Sequence, residues 1–533
     1  MRSLVSGTKQ VYTETMPLFY NIATVGGITL ISRILGFVRD ILVAAVLGAG
    51  PLADAFFVAF KLPNLFRRLF AEGAFSAAFV PQFAGYLESH GKEVARVFAE
   101  QALSVLLWAL LGFVITLELA MPWVMLGFAP GFAGSPEQFD LAVLLTRITF
   151  PYLLFISLVS LLAGVLNALD RFAAAAATPI LLNLCLIGAI LWLARFTPTP
   201  AHALAWGVAV AGMVQFCWLL AYVRRVGINL RLPFPRVTRS VRVMLARIVP
   251  VAIGAGVYQI SLLIDTVIAS LLPAGAISYL FFADRVNQLP MGVVGIAVGT
   301  ALLPLLARQV RAGDEAAARY SQARALEFTL FLAIPAAAAL IVIAGPVVTV
   351  LFERGEFTAD DAVATAGALA VYATGLPAYV LVKGLTPGFF ARGDTVTPVK
   401  IGLFSLAVNL VLNVILMGPL LHIGIAAATS VSAWLNAALL ARILHQRGHF
   451  AIDAGLATRV PRMVIASAFM GVALMVGLEN VEPLMAGELL ERIFALAVLV
   501  AGGLVFYGIL ALVMRIVTLD DLRHALNRRP LSA

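Results

Sequence analysis

Residues 53–68 read Ala-Asp-Ala-Phe-Phe-Val-Ala-Phe-Lys-Leu-Pro-Asn-Leu-Phe-Arg-Arg. The apolar character continues to about residue 86 without strand-like alternation, so the run has the length and texture of a membrane helix. Yet Asp54, Lys61 and Arg68 recur every seven residues. Asn64 and Glu72 extend the same stripe at steps of three and four, and Arg67 lies beside it. At 1.5 Å per residue the stripe is about 27 Å long. A membrane helix that carries such a stripe reads as one wall of a water-filled passage.

The rest of the chain agrees with a membrane setting. Of 533 residues, 62% are hydrophobic and 12% charged, with a mean hydropathy of +0.99. A soluble domain carries about a quarter charged residues, and half of that cannot coat a particle of 56.6 kDa. The runs are continuously apolar, which excludes an outer-membrane barrel. Cys185 and Cys217 lie in apolar runs and read as small buried hydrophobes. No apolar core followed by a small-residue cleavage site opens the chain, so no removed signal peptide is expected. The net charge of +9 would suggest nucleic acid in a soluble protein; here it sets orientation, and no nucleic-acid partner is expected.

Apolar segments fall at about 22–47, 53–86, 98–122, 140–166, 172–195, 202–223, 248–271, 276–307, 325–351, 361–390, 396–418, 422–442, 460–479 and 490–515, which predicts an all-α polytopic protein of about fourteen helices. The second and eighth runs contain Pro63, Gly73, Pro290, Gly292 and Gly295, so bent or broken helices are expected there. Counting from a cytoplasmic N-terminus, the even connections are rich in arginine, most of all between Arg224 and Arg247. The odd ones hold Arg195, Arg354 and Arg492 beside Glu137, Glu353, Glu356, Asp360, Asp361, Glu479, Glu482 and Glu488. This asymmetry places both termini in the cytoplasm.

A weak internal repeat relates Asp54–Phe66 to Ser278–Pro290, pairing the intramembrane cations Lys61 and Arg285. The offset spans an even number of helices, so the halves run parallel. The expected organisation is an N-terminal lobe at 1–225, a basic cytoplasmic linker at 226–247, a second lobe at 248–445, and two further helices with a basic tail at 446–533.

Charges inside such helices cost about 2.5–3.5 kcal/mol each, and several more are present. Arg33, Gly36 and Asp40 share a face of the first helix, with Arg39 beside it; Asp284, Arg285, Asn287 and Gln288 lie on the eighth. Arg39 and Asp40 could instead form a structural ion pair, and Arg67, Arg68 and Glu72 could snorkel or pair at a membrane edge. The cations Lys61 and Arg285 lack enough nearby acid to neutralise them, which points to an anionic ligand. Asp265, Asn409, Asn413 and Thr429 form an oxygen-rich set suited to a hard cation such as Na⁺, or to a proton on Asp265; Asn and Thr also bond between helices without any ion. No Walker loop, zinc spacing or nucleophile elbow occurs, so no enzyme and no further cofactor is expected.

Ser32-Arg-Ile-Leu-Gly-Phe-Val-Arg39-Asp40, Gly48-Ala-Gly50, Asp54-Ala-Phe-Phe-Val-Ala-Phe-Lys61-Leu-Pro-Asn64 and Arg67-Arg68-Leu-Phe-Ala-Glu72-Gly-Ala-Phe75 resemble the MurJ (MviN) family of lipid II flippases. Phe282-Ala-Asp-Arg285, Leu351-Phe-Glu-Arg-Gly-Glu-Phe-Thr358 and Phe390-Ala-Arg-Gly-Asp-Thr395 resemble it too. The resemblance implies the fold of the multidrug/oligosaccharidyl-lipid/polysaccharide exporters: two lobes about a cationic cavity, with two extra helices forming a groove for a lipid tail. It implies the inner membrane of a Gram-negative-like bacterium, a part in peptidoglycan synthesis, and other cell-wall synthesis and division proteins as partners. Carried over, the cavity residues are Arg33, Arg39, Asp54, Lys61, Arg67, Arg68 and Arg285. Gln288 stands where several relatives have Glu, and Asn413 where relatives vary between Asp and Asn. By the same resemblance, Arg33, Arg39 and Arg285 receive the pyrophosphate of undecaprenyl-linked lipid II, since guanidinium binds phosphate bidentately. A drug or cation antiporter of the same superfamily calls for acidic, aromatic walls, and a non-transporting scaffold needs no charged stripe in both lobes. Reporter fusions test the orientation: those after Pro130 and Gly355 should read periplasmic and one after Arg236 cytoplasmic, and a periplasmic signal at Arg236 would overturn it.

Overall fold

The computed structural model describes the backbone of residues 3–68 and 75–518. Among the described residues every regular element is a helix, and nine helices are long and apolar enough to cross a membrane. The chain divides into two compact units, Met1–Ala274 and Gly275–Ala533.

In the first unit, α1 covers Ser3–Leu47 and α2 Pro51–Phe66, with Pro51 at its first turn where a missing N–H costs nothing. Residues 69–74, including Gly73 and Glu72 of the expected stripe, lie outside the described residues. Helix α3 (Ser76–Leu119) turns sharply at Gly91, whose φ of 80° is open to glycine without penalty. Then follow α4 (Met121–Phe128), α5 (Pro136–Thr149), α6 (Tyr152–Asn167), α7 (Phe172–Ala176), α8 (Thr178–Leu191), α9 (Pro200–Arg225) and α10 (Arg239–Ser270).

The core of this unit is aromatic. Phe75, Phe83 and Phe98 are buried and each stack on buried Phe79, at centroid distances of 5.3–5.6 Å. Small residues bring backbones close where lipid offers no hydrophobic drive between helices: a Cβ on Gly212 would stand 2.9 Å from the Tyr152 ring. Helix α10, expected to open the second lobe, packs on elements of the first unit. Ser240 receives Tyr86 Oη at 2.9 Å, and Gly131 N donates to Ser270 Oγ at 3.2 Å.

The second unit comprises α11 (Ala276–Arg311), α12 (Glu315–Val342), α13 (Ala344–Phe352), α14 (Ala359–Phe390), α15 (Val396–Gln446), α16 (Ala454–Met485) and α17 (Leu489–Val513). Phe282, Phe352 and Phe357 form one buried triad, with centroids 5.0–6.0 Å apart. Leu326, Leu385, Phe389, Leu440 and Leu444 form a second core cluster. Helix α15 doubles back at Leu421, where φ is 50° and ψ −133°, so the expected division between 418 and 422 falls on a turn. Helices α16 and α17 pack on each other and on α12. Their outer faces, such as Phe469, Leu490 and Phe494, remain exposed, as lipid-facing residues do.

The eighth run, expected to be bent or broken, is one continuous helix: α11 runs from Ala276 to Arg311 with Pro290 and Pro304 inside it. A proline removes one backbone bond, which a membrane helix tolerates when neighbouring groups or local adjustment satisfy the freed carbonyl. The run 140–166, expected as one helix, lies within one apolar span, Pro136–Asn167, in which α5 passes into α6 through Phe150 and Pro151 with helical backbone angles kept. Thr149 Oγ1 donates there to Ala59 O of α2 at 2.7 Å.

Candidate functional site

The charged residues of the first unit divide into committed and accessible groups. On α1, Arg39 is only 7% exposed and Asp40 4%. Arg39 donates from Nε and Nη2 to Asp40 Oδ1 at 2.9 and 2.6 Å, and from Nη1 to Asn183 Oδ1 at 2.9 Å. Asn183 in turn donates from Nδ2 to Ser32 O at 3.0 Å. Gly36 leaves room for this: its missing Cβ would sit 3.4 Å from Asn183 Nδ2. Arg39, Asp40 and Asn183 therefore form a buried clamp joining α1 to α8. Their geometry favours the structural ion pair over a ligand-receiving role for Arg39. Arg33, six residues earlier, is exposed.

On α2, Asp54 is buried in the first turn, where a carboxylate meets the positive end of the helix dipole. Lys61 is half-buried, and its Nζ donates to Thr266 Oγ1 of α10 at 3.4 Å. Asn64 bonds back to Phe60 O at 2.7 Å and accepts Arg67 Nε at 3.1 Å. Arg67 is half-buried and Arg68 exposed. Of the expected stripe, Asp54, Lys61 and Asn64 lie on α2 and Arg68 just past its end, with Arg67 beside them, and Glu72 lies outside the described residues.

In the second unit, Arg285 of α11 is half-buried, with its guanidinium carbon 4.8 Å from the Phe281 ring centroid. Stacking of this kind engages the face of the guanidinium and not its N–H edge. One turn on, Gln288 is exposed and donates to Asp284 Oδ2. Nearer the start of α11, Tyr279 Oη donates to Asp361 Oδ1 of α14 at 3.0 Å. Asp361 also closes the capping box with Thr358.

Three members of the oxygen-rich set are linked by hydrogen bonds. Asn413 Nδ2 donates to Asn409 Oδ1 at 3.0 Å, Asn409 Nδ2 to Thr429 Oγ1 at 3.5 Å, and Thr429 Oγ1 to Ile425 O at 2.9 Å. These three residues pass hydrogen bonds between the two arms of α15, as polar residues do in packed membrane helices. Asp265 lies on α10, in the first unit. Among the described residues no group of three His, Cys, Asp or Glu is placed to hold a metal.

The other two recognisable motifs act as locks. In 351–358, Glu353 accepts Arg492 Nη1 of α17 at 3.2 Å, and Thr358 caps α14. In 390–395, Asp394 accepts Thr397 N at 2.9 Å and Arg447 Nη1 at 2.6 Å, while Arg392 pairs with Glu315. Thr397 and Arg447 hold the Asp394 carboxyl well below its ordinary range. That contribution is present above the unfolded carboxylate value and is lost only as pH falls into strong acid.

Three partners were missed in the sequence. Asn183 is an isolated polar residue in an apolar run and Thr266 adjoins Asp265, signals that could have found them; Phe281 carries none in a chain with 34 phenylalanines.

The family described as lipid II flippase MurJ matches residues 43–495. A relative from Rhizobium meliloti (strain 1021), described as a probable lipid II flippase MurJ, is 47% identical over 520 residues, covering 96% of this chain and 97% of its own. Among solved structures, "Lipid II flippase MurJ, inward closed conformation" superposes with a TM-score of 0.77 at 24% identity, over 91% of this chain and 98% of that one. An inward-facing multidrug resistance MATE family transporter of the MOP superfamily gives 0.64 at 14% identity, over 80% and 97%.

The clamp predicts a contrast between two arginines one turn and a half apart. Asn183→Ala removes the acceptor of buried Arg39 Nη1 and should cost about 1–3 kcal/mol, read as a lower thermal midpoint in detergent. Arg33→Ala should leave that midpoint unchanged. Equal midpoints for all three proteins would show that the clamp carries no stability.

Proposed function

The chain belongs to the lipid II flippase MurJ family, and we infer from that membership that it carries lipid II across the inner membrane during peptidoglycan synthesis. It is a multi-pass membrane transporter and not an enzyme. The observation that carries the reading is the near full-length identity to curated members of the family.

The chemistry of the cargo explains the cations. The pyrophosphate and sugar-peptide of lipid II are too polar to enter hydrocarbon, so the headgroup needs a hydrated, positively charged path while its tail stays in lipid. We assign the pyrophosphate to Arg33 and Arg285, with Lys61, Arg67 and Arg68 lining the approach and Asp54 and Gln288 beside them. Arg39 and Asp40 act through position: their clamp fixes the rotation of α1 and hence the direction of Arg33. The surplus of cations on α1, α2 and α11 supports an anionic cargo over the cationic drugs of an antiporter. The finer arrangement follows the same reading: about fourteen spans, both termini in the cytoplasm, access that alternates between the two sides, and a lipid tail against α16 and α17.

For ion coupling we propose Asp265 alone, the one carboxylate of the expected set, and route no step through sodium at Asn409, Asn413 or Thr429. Asp265→Asn should abolish any response of translocation to a sodium or proton gradient while headgroup binding persists; an unchanged response removes the assignment.

Complementation of a flippase-depleted strain tests the cation site. Arg285→Ala should fail to support growth although the protein reaches the membrane. Arg285→Lys should be partly impaired, because a point charge replaces a bidentate fork. Normal growth of both Arg33→Ala and Arg285→Ala would show that these residues do not receive the pyrophosphate.

A further inference from the structure

Between α9 and α10 the chain has no regular structure, yet it is fastened along one side of α3. Arg231 N donates to Glu100 Oε1 at 2.8 Å, Ser104 Oγ donates to Pro233 O at 2.6 Å, and Thr238 Oγ1 donates to Gln101 Oε1 at 2.8 Å. Glu100 is buried and is also paired with Arg96. Gln82 Nε2 and Tyr86 Oη then hold Ser240 at the start of α10. Pro233 and Pro235 restrict the backbone between these ties. A segment so held presents one fixed face outward.

That face combines two features that neither water nor hydrocarbon alone accommodates. Phe234 is 81% exposed, Leu232 56% and Val237 53%. Interleaved with them, Arg224, Arg225, Arg231, Arg236, Arg239 and Arg242 are all exposed, and residues 224–247 contain no Asp or Glu. Apolar tips beside a run of arginines, of which Arg231 lies near Glu93 of α3, are the composition of a headgroup-level segment. Helix length agrees. The 32 residues of α10 extend about 48 Å, well beyond a hydrocarbon core of about 30 Å, so its arginine-bearing first turns reach past the acyl chains.

We propose that residues 231–242 form an interfacial strap that docks on a leaflet of anionic phospholipid. The arginines bind lipid phosphates, and Phe234, Leu232 and Val237 enter the boundary between headgroups and acyl chains. The strap ties α3 and α10 to the membrane surface and so sets the depth of the first unit. This inference does not depend on which substrate is carried.

The test uses the full-length protein with Cys185→Ala and Cys217→Ala, labelled at Phe234→Cys with an environment-sensitive fluorophore, in nanodiscs. In discs containing phosphatidylglycerol the probe should be blue-shifted and quenched by lipids spin-labelled near the headgroup. Both effects should weaken in pure phosphatidylcholine, and on moving from about 0.1 M to about 1 M salt, which shortens the screening length from about 10 Å to about 3 Å. Arg236→Ser with Arg239→Ser should weaken them as well. A probe that behaves identically in both lipids and at both salt concentrations would overturn the proposal. So would a probe indifferent to lipid charge that responds to added lipid II, which would make the segment a substrate entry site.

Discussion

A charged side chain inside a bilayer must find a partner or water, and the organisation of this protein follows from how each charge meets that requirement. Arg39 meets it internally, with three hydrogen bonds to Asp40 and Asn183. Removing one partner of such a buried charge costs far more than the pair contributes net. The clamp is therefore better understood as fixing geometry than as adding stability: it sets α1 against α8 and leaves Arg33 on an exposed face. Lys61 donates to Thr266, and Arg285 lies against the Phe281 ring.

The division of labour among the recognisable motifs follows the same logic. Those of α1 and α2 carry the cations that a hydrated anionic headgroup would meet. Those at 351–358 and 390–395 cap helices and tie them to α17 and to the end of α15 through Arg492 and Arg447. Similar sequence patterns thus serve two ends, and only the position of the partner tells them apart.

Fold class was legible because hydropathy is a property summed over twenty residues, and small local errors do not change it. The turn at Leu421 was legible for the same reason, as a dip between two apolar runs. How the chain accommodates its prolines was not: Pro151 lies where α5 passes into α6 with helical angles kept, and Pro290 and Pro304 lie within a continuous α11, because that depends on what the surroundings do with the freed carbonyls. The role of Arg39 was equally hidden, because its partner Asn183 lies 144 residues away. The hydrogen bonds that join Asn409, Asn413 and Thr429 were hidden too, because a sequence does not carry their direction.

The central claim is that this chain by itself moves a pyrophosphate-linked headgroup between leaflets. The most direct measurement places purified protein in liposomes containing lipid II with a fluorescent headgroup, then adds a membrane-impermeant reductant. Movement of the headgroup exposes inner-leaflet label, so bleaching should proceed past the outer-leaflet fraction to near completion, while protein-free liposomes stop at that fraction. Bleaching that stops there with folded protein present would contradict the account.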